Sequence, residues 1–199
     1  MVASRGPAFD VYRKPGPGAV LVSRLDATND WAQPLWLPVI GGFRDVEGTG
    51  WLEVRLPIRP NGTEGWVRGE DVRSRRLQEH IVVDLSGHLL KRYVAHDVIG
   101  RDRVAIGSPS TPTPAGRFFV WAHVSYPDRA GPYGVFALGL SGFSNVITDW
   151  TGGGRIAIHG TADPADAGHD VSHGCVRVFN PEMRALEDVP LGTPVTIRA

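Results

Sequence analysis

The sequence predicts a mainly β protein in two small units, with one short helix near the C-terminus. Three observations lead there. The 25 glycines and 16 prolines exceed a fifth of the 199 residues, which favours short strands and many turns over long helices. Trp51-Leu52-Glu53-Val54-Arg55-Leu56 alternates apolar and charged residues, the pattern of a half-buried strand. The run Arg73-Ser74-Arg75-Arg76 reads as a solvated polar joint, which sets a boundary near residue 78 and gives units 1–78 and 79–199.

In the first unit, Val20-Leu21-Val22, Leu35-Trp36-Leu37 and Val39-Ile40 are strand-like pieces bounded by Gly and Pro. Asn61-Gly62 marks a turn between Trp51–Leu56 and a return strand at Gly65-Trp66-Val67, made irregular by Pro57 and Pro60. Four of the six tryptophans lie here. A unit this small fills its core with large rings, so Trp51 and Trp66 are expected inside, whereas Trp31 and Trp36 are open between core and an aromatic binding surface. The segment Glu64-Gly65-Trp66-Val67-Arg68-Gly69-Glu70-Asp71-Val72 resembles the last strand and turn of bacterial SH3-like domains, and the resemblance implies a small β-barrel.

The second unit opens with a hairpin: Ile81–Leu85, a turn at Ser86-Gly87, then Leu89–Tyr93. Val104–Ile106, Arg117–Ala122, Val135–Leu138 and Arg155–Ile158 are further strands. The prolines of Thr111-Pro112-Thr113-Pro114-Ala115-Gly116 exclude regular structure between the first two. Asn180-Pro181-Glu182 reads as an N-cap, a proline at the first helical position and an acid in the first turn, opening a helix through about Asp188. Pro194–Ile197 closes the chain as a strand.

Composition excludes several classes. Twenty-one basic residues balance 21 acidic ones, so nothing draws the protein to nucleic acid or an acidic membrane. Apolar runs such as Val135–Leu138 are too short to span a bilayer. Residues 1–20 lack the apolar run of an export signal and are broken by Pro7, Pro15 and Pro17; read literally, this is a cytoplasmic chain.

Chemistry concentrates near the C-terminus. Cys175, the sole cysteine, lies in Ser172-His173-Gly174-Cys175-Val176-Arg177, sixteen residues after His159 in His159-Gly160-Thr161. A thiol must lose its proton to become a good nucleophile, and an imidazole in reach can leave a thiolate–imidazolium pair. His159 projects from the end of a strand. His173 shares a face with Cys175 if the segment is extended. Either can be the base. Gly174 lets a substrate carbonyl approach the backbone, where the amides of Gly174 and Cys175 can donate to an oxyanion. Gly160 lets the chain bend after the base. The segment is too polar for a buried structural cysteine. A zinc site from His159, His173, Cys175 and His169 or Asp170 has acceptable ligand types but no compact metal signature. His80, His88, His96 and His123 read as surface or satisfied histidines.

These motifs and their spacing resemble the L,D-transpeptidase catalytic (YkuD) domain. The resemblance covers about residues 79–199, including the Val82-Val83-Asp84-Leu85 hairpin, Thr113–Gly116 and the Gly192-Thr193-Pro194-Val195 strand. It implies a β-sandwich with a short helix and an enzyme acting on peptidoglycan stem peptides. Cys175 would attack the carbonyl of the third stem residue and expel terminal D-alanine, and an amine acceptor would complete a 3→3 cross-link. His159 would be the general base, oriented by the Gly160 carbonyl. His173, Gly174 and Cys175 would frame the oxyanion site, with Ser172 and Arg177 near the substrate. The family needs no metal or cofactor, commonly reacts with carbapenems, and works outside the cytoplasmic membrane; an export signal would then be missing from this chain. Water as acceptor would make an L,D-carboxypeptidase. A non-catalytic wall-binding protein is the remaining reading, disfavoured by the intact motif.

Overall fold

A computed structural model describes residues 1–149 and 152–199. They divide into two compact units, Met1–Leu77 and Gln78–Ala199.

The first unit contains β1 (Val2–Ser4), β2 (Ala8–Tyr12), β3 (Leu21–Asp26), β4 (Val39–Arg44), β5 (Gly50–Arg55), β6 (Glu64–Arg68) and β7 (Val72–Ser74). Five strands form an antiparallel sheet in the order β3-β2-β6-β5-β4, and β1 pairs with β7. The expected hairpin around Asn61-Gly62 joins β5 to β6. Leu35-Trp36-Leu37 is not a strand. Pro34 and Pro38 lack the donors a ladder needs, and only single bonds hold it, Leu35 N to Ala27 O and a reciprocal pair between Leu37 and Val2.

Trp51 is buried, and its Nε1–H donates to Asp45 Oδ2 at 2.8 Å. Trp66 is only half-buried, because Gly65 and Val67 take the inward positions of β6 and a strand alternates faces. Trp31 is exposed. Trp36 is half-buried, with the guanidinium groups of Arg73 and Arg75 at 5.3 and 3.9 Å from its ring. The polar joint is thus partly structural: Arg73 and Ser74 belong to β7, and Arg75 N–H donates to Met1 O.

The second unit contains β8 (Glu79–Asp84), β9 (Leu89–Val94), β10 (Asp97–Gly107), β11 (Gly116–Ser125), β12 (Phe136–Phe143), β13 (Arg155–Thr161), β14 (Asp170–Ser172), β15 (Val176–Phe179), α1 (Asn180–Met183) and β16 (Pro194–Arg198). Strand order is β14-β10-β15-β13-β12-β11-β16-β8-β9, and β9 also pairs with β10. The eight strands from β10 to β9 therefore close on themselves, where a sandwich was expected. The cause is the length of β10. Its first part, Asp97–Arg103, pairs with β9, and Val104 and Ala105 pair with β15. Only its last residues gave a sequence signal, because the first seven are polar or exposed.

Inward residues such as Ile81, Leu90, Val104, Leu138, Ile158 and Val176 form the core, completed by Met183 and Leu186. The helix is shorter than expected: α1 passes at Arg184 into a 3-10 turn ending at Leu186. Asn180 is the first helical residue rather than the cap, which is Phe179.

Candidate active site

Parallel strands β13 and β15 build the site. Their register sets Ile158 beside Val176 and His159 beside Arg177. Ile156, Ile158, Val176 and Val178 enter the core. Strand alternation then puts His159, Cys175 and Arg177 together on the opposite face. Cys175 directly precedes β15 and is bonded to the Ala157 backbone, two residues from His159. Sixteen residues of sequence become a neighbouring position on a rigid sheet.

His159 is 3% exposed, with Nδ1 2.8 Å from the Gly160 carbonyl oxygen. A carbonyl only accepts, so Nδ1 carries the proton and Nε2 keeps its lone pair. Burial lowers the His159 pKa from 6.5 to about 4; Arg177 adds to this, while the Gly160 bond and Asp166 oppose it. Burial pushes the Cys175 thiol up, opposed by the Ala157 bond and by Arg177. Burial thus disfavours the charged form of each group.

The turn before Cys175 is held from within. Ser172 is 2% exposed; its hydroxyl donates to Cys175 O at 2.5 Å and accepts from Gly174 N–H at 3.1 Å. Ser172 thus shapes the loop, with its hydroxyl engaged inside the turn. Gly174 has φ +110°, and a Cβ there would find its nearest neighbours at 3.6 Å, so conformation rather than crowding requires glycine. Its amide is engaged by Ser172, which leaves the Cys175 amide as the turn's candidate oxyanion donor. The bend removes the extended geometry that would align His173 with Cys175, and His173 is exposed. Ser108 N–H and Thr111 Oγ1–H both donate to Ser172 O, at 2.9 and 3.2 Å, so the proline-rich loop buttresses the turn.

Gly160 does not bend the chain. It continues β13 opposite Val178, and a Cβ there would lie 2.2 Å from Asn180 Oδ1. Arg177 Nη1 meets Asp166 Oδ2 at 3.2 Å, and that oxygen also accepts from Thr161 Oγ1 at 2.9 Å. Arg177 Nε is buried with no hydrogen-bond partner among the described residues.

Sequence reasoning missed four contributors. Asp166 anchors Arg177. The Tyr133 ring meets His159 edge-on, centroids 5.3 Å apart at 76°, and Tyr126 stacks on Tyr133 at 5.1 Å. The Tyr126 hydroxyl is pushed up by burial and by Tyr133 and Cys175. Asn180 bonds the loop that carries both rings. The available signal was that two of the chain's four tyrosines bracket a Gly/Pro-containing stretch.

Among the described residues, no three or more His, Cys, Asp or Glu side chains converge as a metal site. Asp170 pairs with His88 at 2.6 Å, and His80 stacks on Tyr93. No helix among the described residues is long and apolar enough to cross a membrane.

A closed β-sheet that presents a cysteine, a histidine oriented by a backbone carbonyl and an arginine on two parallel strands defines the class of this domain. The chain belongs to the L,D-transpeptidase catalytic domain (YkuD) family, whose profile matches residues 78–197. It is 33% identical over 118 residues to the YkuD protein of Bacillus licheniformis, and 34% identical over 119 residues to that of Bacillus subtilis, both assigned as L,D-transpeptidases. Each match takes in 59% of this chain and 64% and 65% of those relatives. Two solved structures share the fold. An L,D-transpeptidase from Mycobacterium smegmatis has TM-score 0.50 and 16% identity, covering 84% of this chain and all of that one. L,D-transpeptidase 3 from Mycobacterium tuberculosis, in complex with a faropenem-derived adduct, has TM-score 0.51 and 14% identity, covering 81% of this chain and 94% of that one.

Proposed function

We propose that this chain is a peptidoglycan L,D-transpeptidase working through an acyl-enzyme on Cys175. The observation that carries the proposal is the β13–β15 pairing, which sets Cys175 against Ala157, two positions along the same strand from His159, with the imidazole Nδ1 tied to Gly160 O. As Cys175 Sγ attacks the carbonyl of the third residue of a tetrapeptide stem, the thiol proton passes to His159 Nε2. The Cys175 amide donates to the oxyanion. Collapse breaks the amide bond, and His159 returns the proton to the departing D-alanine nitrogen. An acceptor amine then gives a proton to His159, attacks the thioester and displaces the Cys175 thiolate, which is reprotonated; a 3→3 amide results.

Arg177 suits a substrate rich in carboxylates, since its guanidinium, held by Asp166, lies beside the pair and acts electrostatically on both members. The strand, 3-10 turn and strand formed by β6, Gly69–Asp71 and β7 support an SH3-like accessory role for residues 1–78. Such a substrate places the protein outside the cytoplasmic membrane, as part of cell-wall biogenesis. Intact mass spectrometry after carbapenem treatment tests the reading. The wild type gains one carbapenem mass and Cys175→Ala gains none; an unmodified wild type, or an equal adduct on Cys175→Ala, refutes it.

A further inference from the structure

Asn180 occupies a slot that two glycines keep open. A Cβ on Gly134 or on Gly160 would each lie 2.2 Å from Asn180 Oδ1. Gly134 is in the loop between β11 and β12; Gly160 bears the carbonyl that orients His159. From this slot the amide makes two bonds to that loop. Asn180 Oδ1 accepts from Val135 N–H at 3.1 Å, and Nδ2–H donates to Arg129 O at 3.1 Å. The loop's own turns, Gly131 N–H to Asp128 O and Gly134 N–H to Gly131 O, hold its shape, and Tyr126 N–H to Val135 O at 3.2 Å closes its base, but none of these bonds reaches the β13–α1 side that Asn180 joins. At its end, Tyr133 sets its ring edge against His159 and is backed by Tyr126.

We infer that Asn180 is a positioning residue that pins the Asp128–Val135 loop, and with it Tyr133, over His159, so that the imidazole stays dry and fixed. Asn180 acts through the loop and touches no reacting atom. The inference deepens the proposed function and rests on His159 being the base, but its geometry does not depend on the substrate. A side-chain amide suits such a pin, because its one acceptor and its donors can fix both ends of a loop at once.

The consequence falls on water at His159. The groups acting on the imidazole are Arg177 on β15, Asp166 in the turn after β13 and the Tyr133 ring from the loop, with Tyr126 behind Tyr133 and Cys175 on the neighbouring strand. All remain when Asn180 is changed, so a changed titration reports hydration. Desolvation is the leading cause of the low His159 value of about 4. Lifting the loop returns water and moves the titration toward 6.5.

The experiment is an NMR titration of the His159 ring protons in the full chain, wild type against Asn180→Ala, with thermal melts to verify folding. The His159 midpoint should rise by at least about one pH unit in Asn180→Ala, and the acid limb of carbapenem acylation should move up with it. Asn180→Ser, neutral and too short to bridge both partners, gives the same test if the alanine variant does not fold. A folded Asn180→Ala or Asn180→Ser with an unchanged midpoint overturns the inference. A wild type that takes no carbapenem refutes the proposed function instead, and leaves the titration as an independent reading of the pin.

Discussion

Acid should destabilise the larger unit through His159, by an amount that burial sets. The imidazole is buried, and its pKa falls from 6.5 to about 4 on folding. The folded value lies below the unfolded one, so between these limits the unfolded chain binds a proton that the folded chain refuses. This share of stability is whole above pH 6.5 and disappears as pH falls toward 4. At about 1.4 kcal/mol per pH unit, the loss over that window is about 3 kcal/mol. The perturbation is His159→Gln, which keeps a polar side chain and removes the titration. The assay is urea unfolding of both proteins at steps from pH 7.5 to 4. All other titrating groups are common to both, so the difference in their slopes isolates His159. The wild type should lose about 3 kcal/mol more than the variant across the window. Parallel stability curves would refute the argument, since they require a histidine equally basic in both states.

A raised Cys175 pKa predicts slow alkylation by iodoacetamide at pH 7 compared with a free cysteine, with the rate still rising where a free cysteine has levelled off; a rate already flat at pH 7 contradicts it. Ser172→Ala strands the Gly174 amide and the Cys175 carbonyl, and should slow carbapenem acylation by about 10- to 100-fold, at about 1–3 kcal/mol for the groups left unpaired. An acylation rate within twofold of wild type shows that the turn holds without its hydroxyl. Asp45→Asn, which removes the carboxylate that accepts from Trp51 Nε1 and from the Glu47 and Thr49 amides, should lower the melting temperature followed by tryptophan fluorescence. The Asp45 pKa is held below its usual value first by the Trp51 bond, so the deficit should shrink as pH falls through the carboxylate range.

The pair at the centre of the site was legible because its signals are local. A sole cysteine stands in a polar, glycine-turned segment, and Ile156-Ala157-Ile158 reads as a strand ending at His159. The preference for His159 over His173 came from the family resemblance. The structure supplies the physical basis in a parallel register and a φ of +110° at Gly174. Neither leaves a periodic trace. The closed sheet was illegible for a related reason: the residues that close it, Asp97–Arg103 in β10, are polar or exposed. Trp66 failed as a core residue because β6 offers its inward positions to Gly65 and Val67, and alternation outweighs ring size. Asn180 was read as a cap from its local context, whereas its partners lie 45 and 51 residues away.

A cysteine can be activated in advance, as a standing ion pair, or only when its target arrives. This site favours the second. Burial raises the thiol and lowers the imidazole, so moving the proton between them is disfavoured from both ends. What changes the balance is a carbonyl in place, because addition puts the charge on an oxygen that the Cys175 amide can meet. Reactivity then depends on the electrophile more than on the thiol. A neutral alkylating agent brings no oxyanion and gains little from the site. A strained lactam or a correctly seated stem peptide gains from the oriented Nε2, from the amide and from Arg177 together. On the proposed mechanism, the loop that sets Tyr133 against His159 would do more than cover it: by favouring a neutral imidazole, it would tune the chemical selectivity of Cys175.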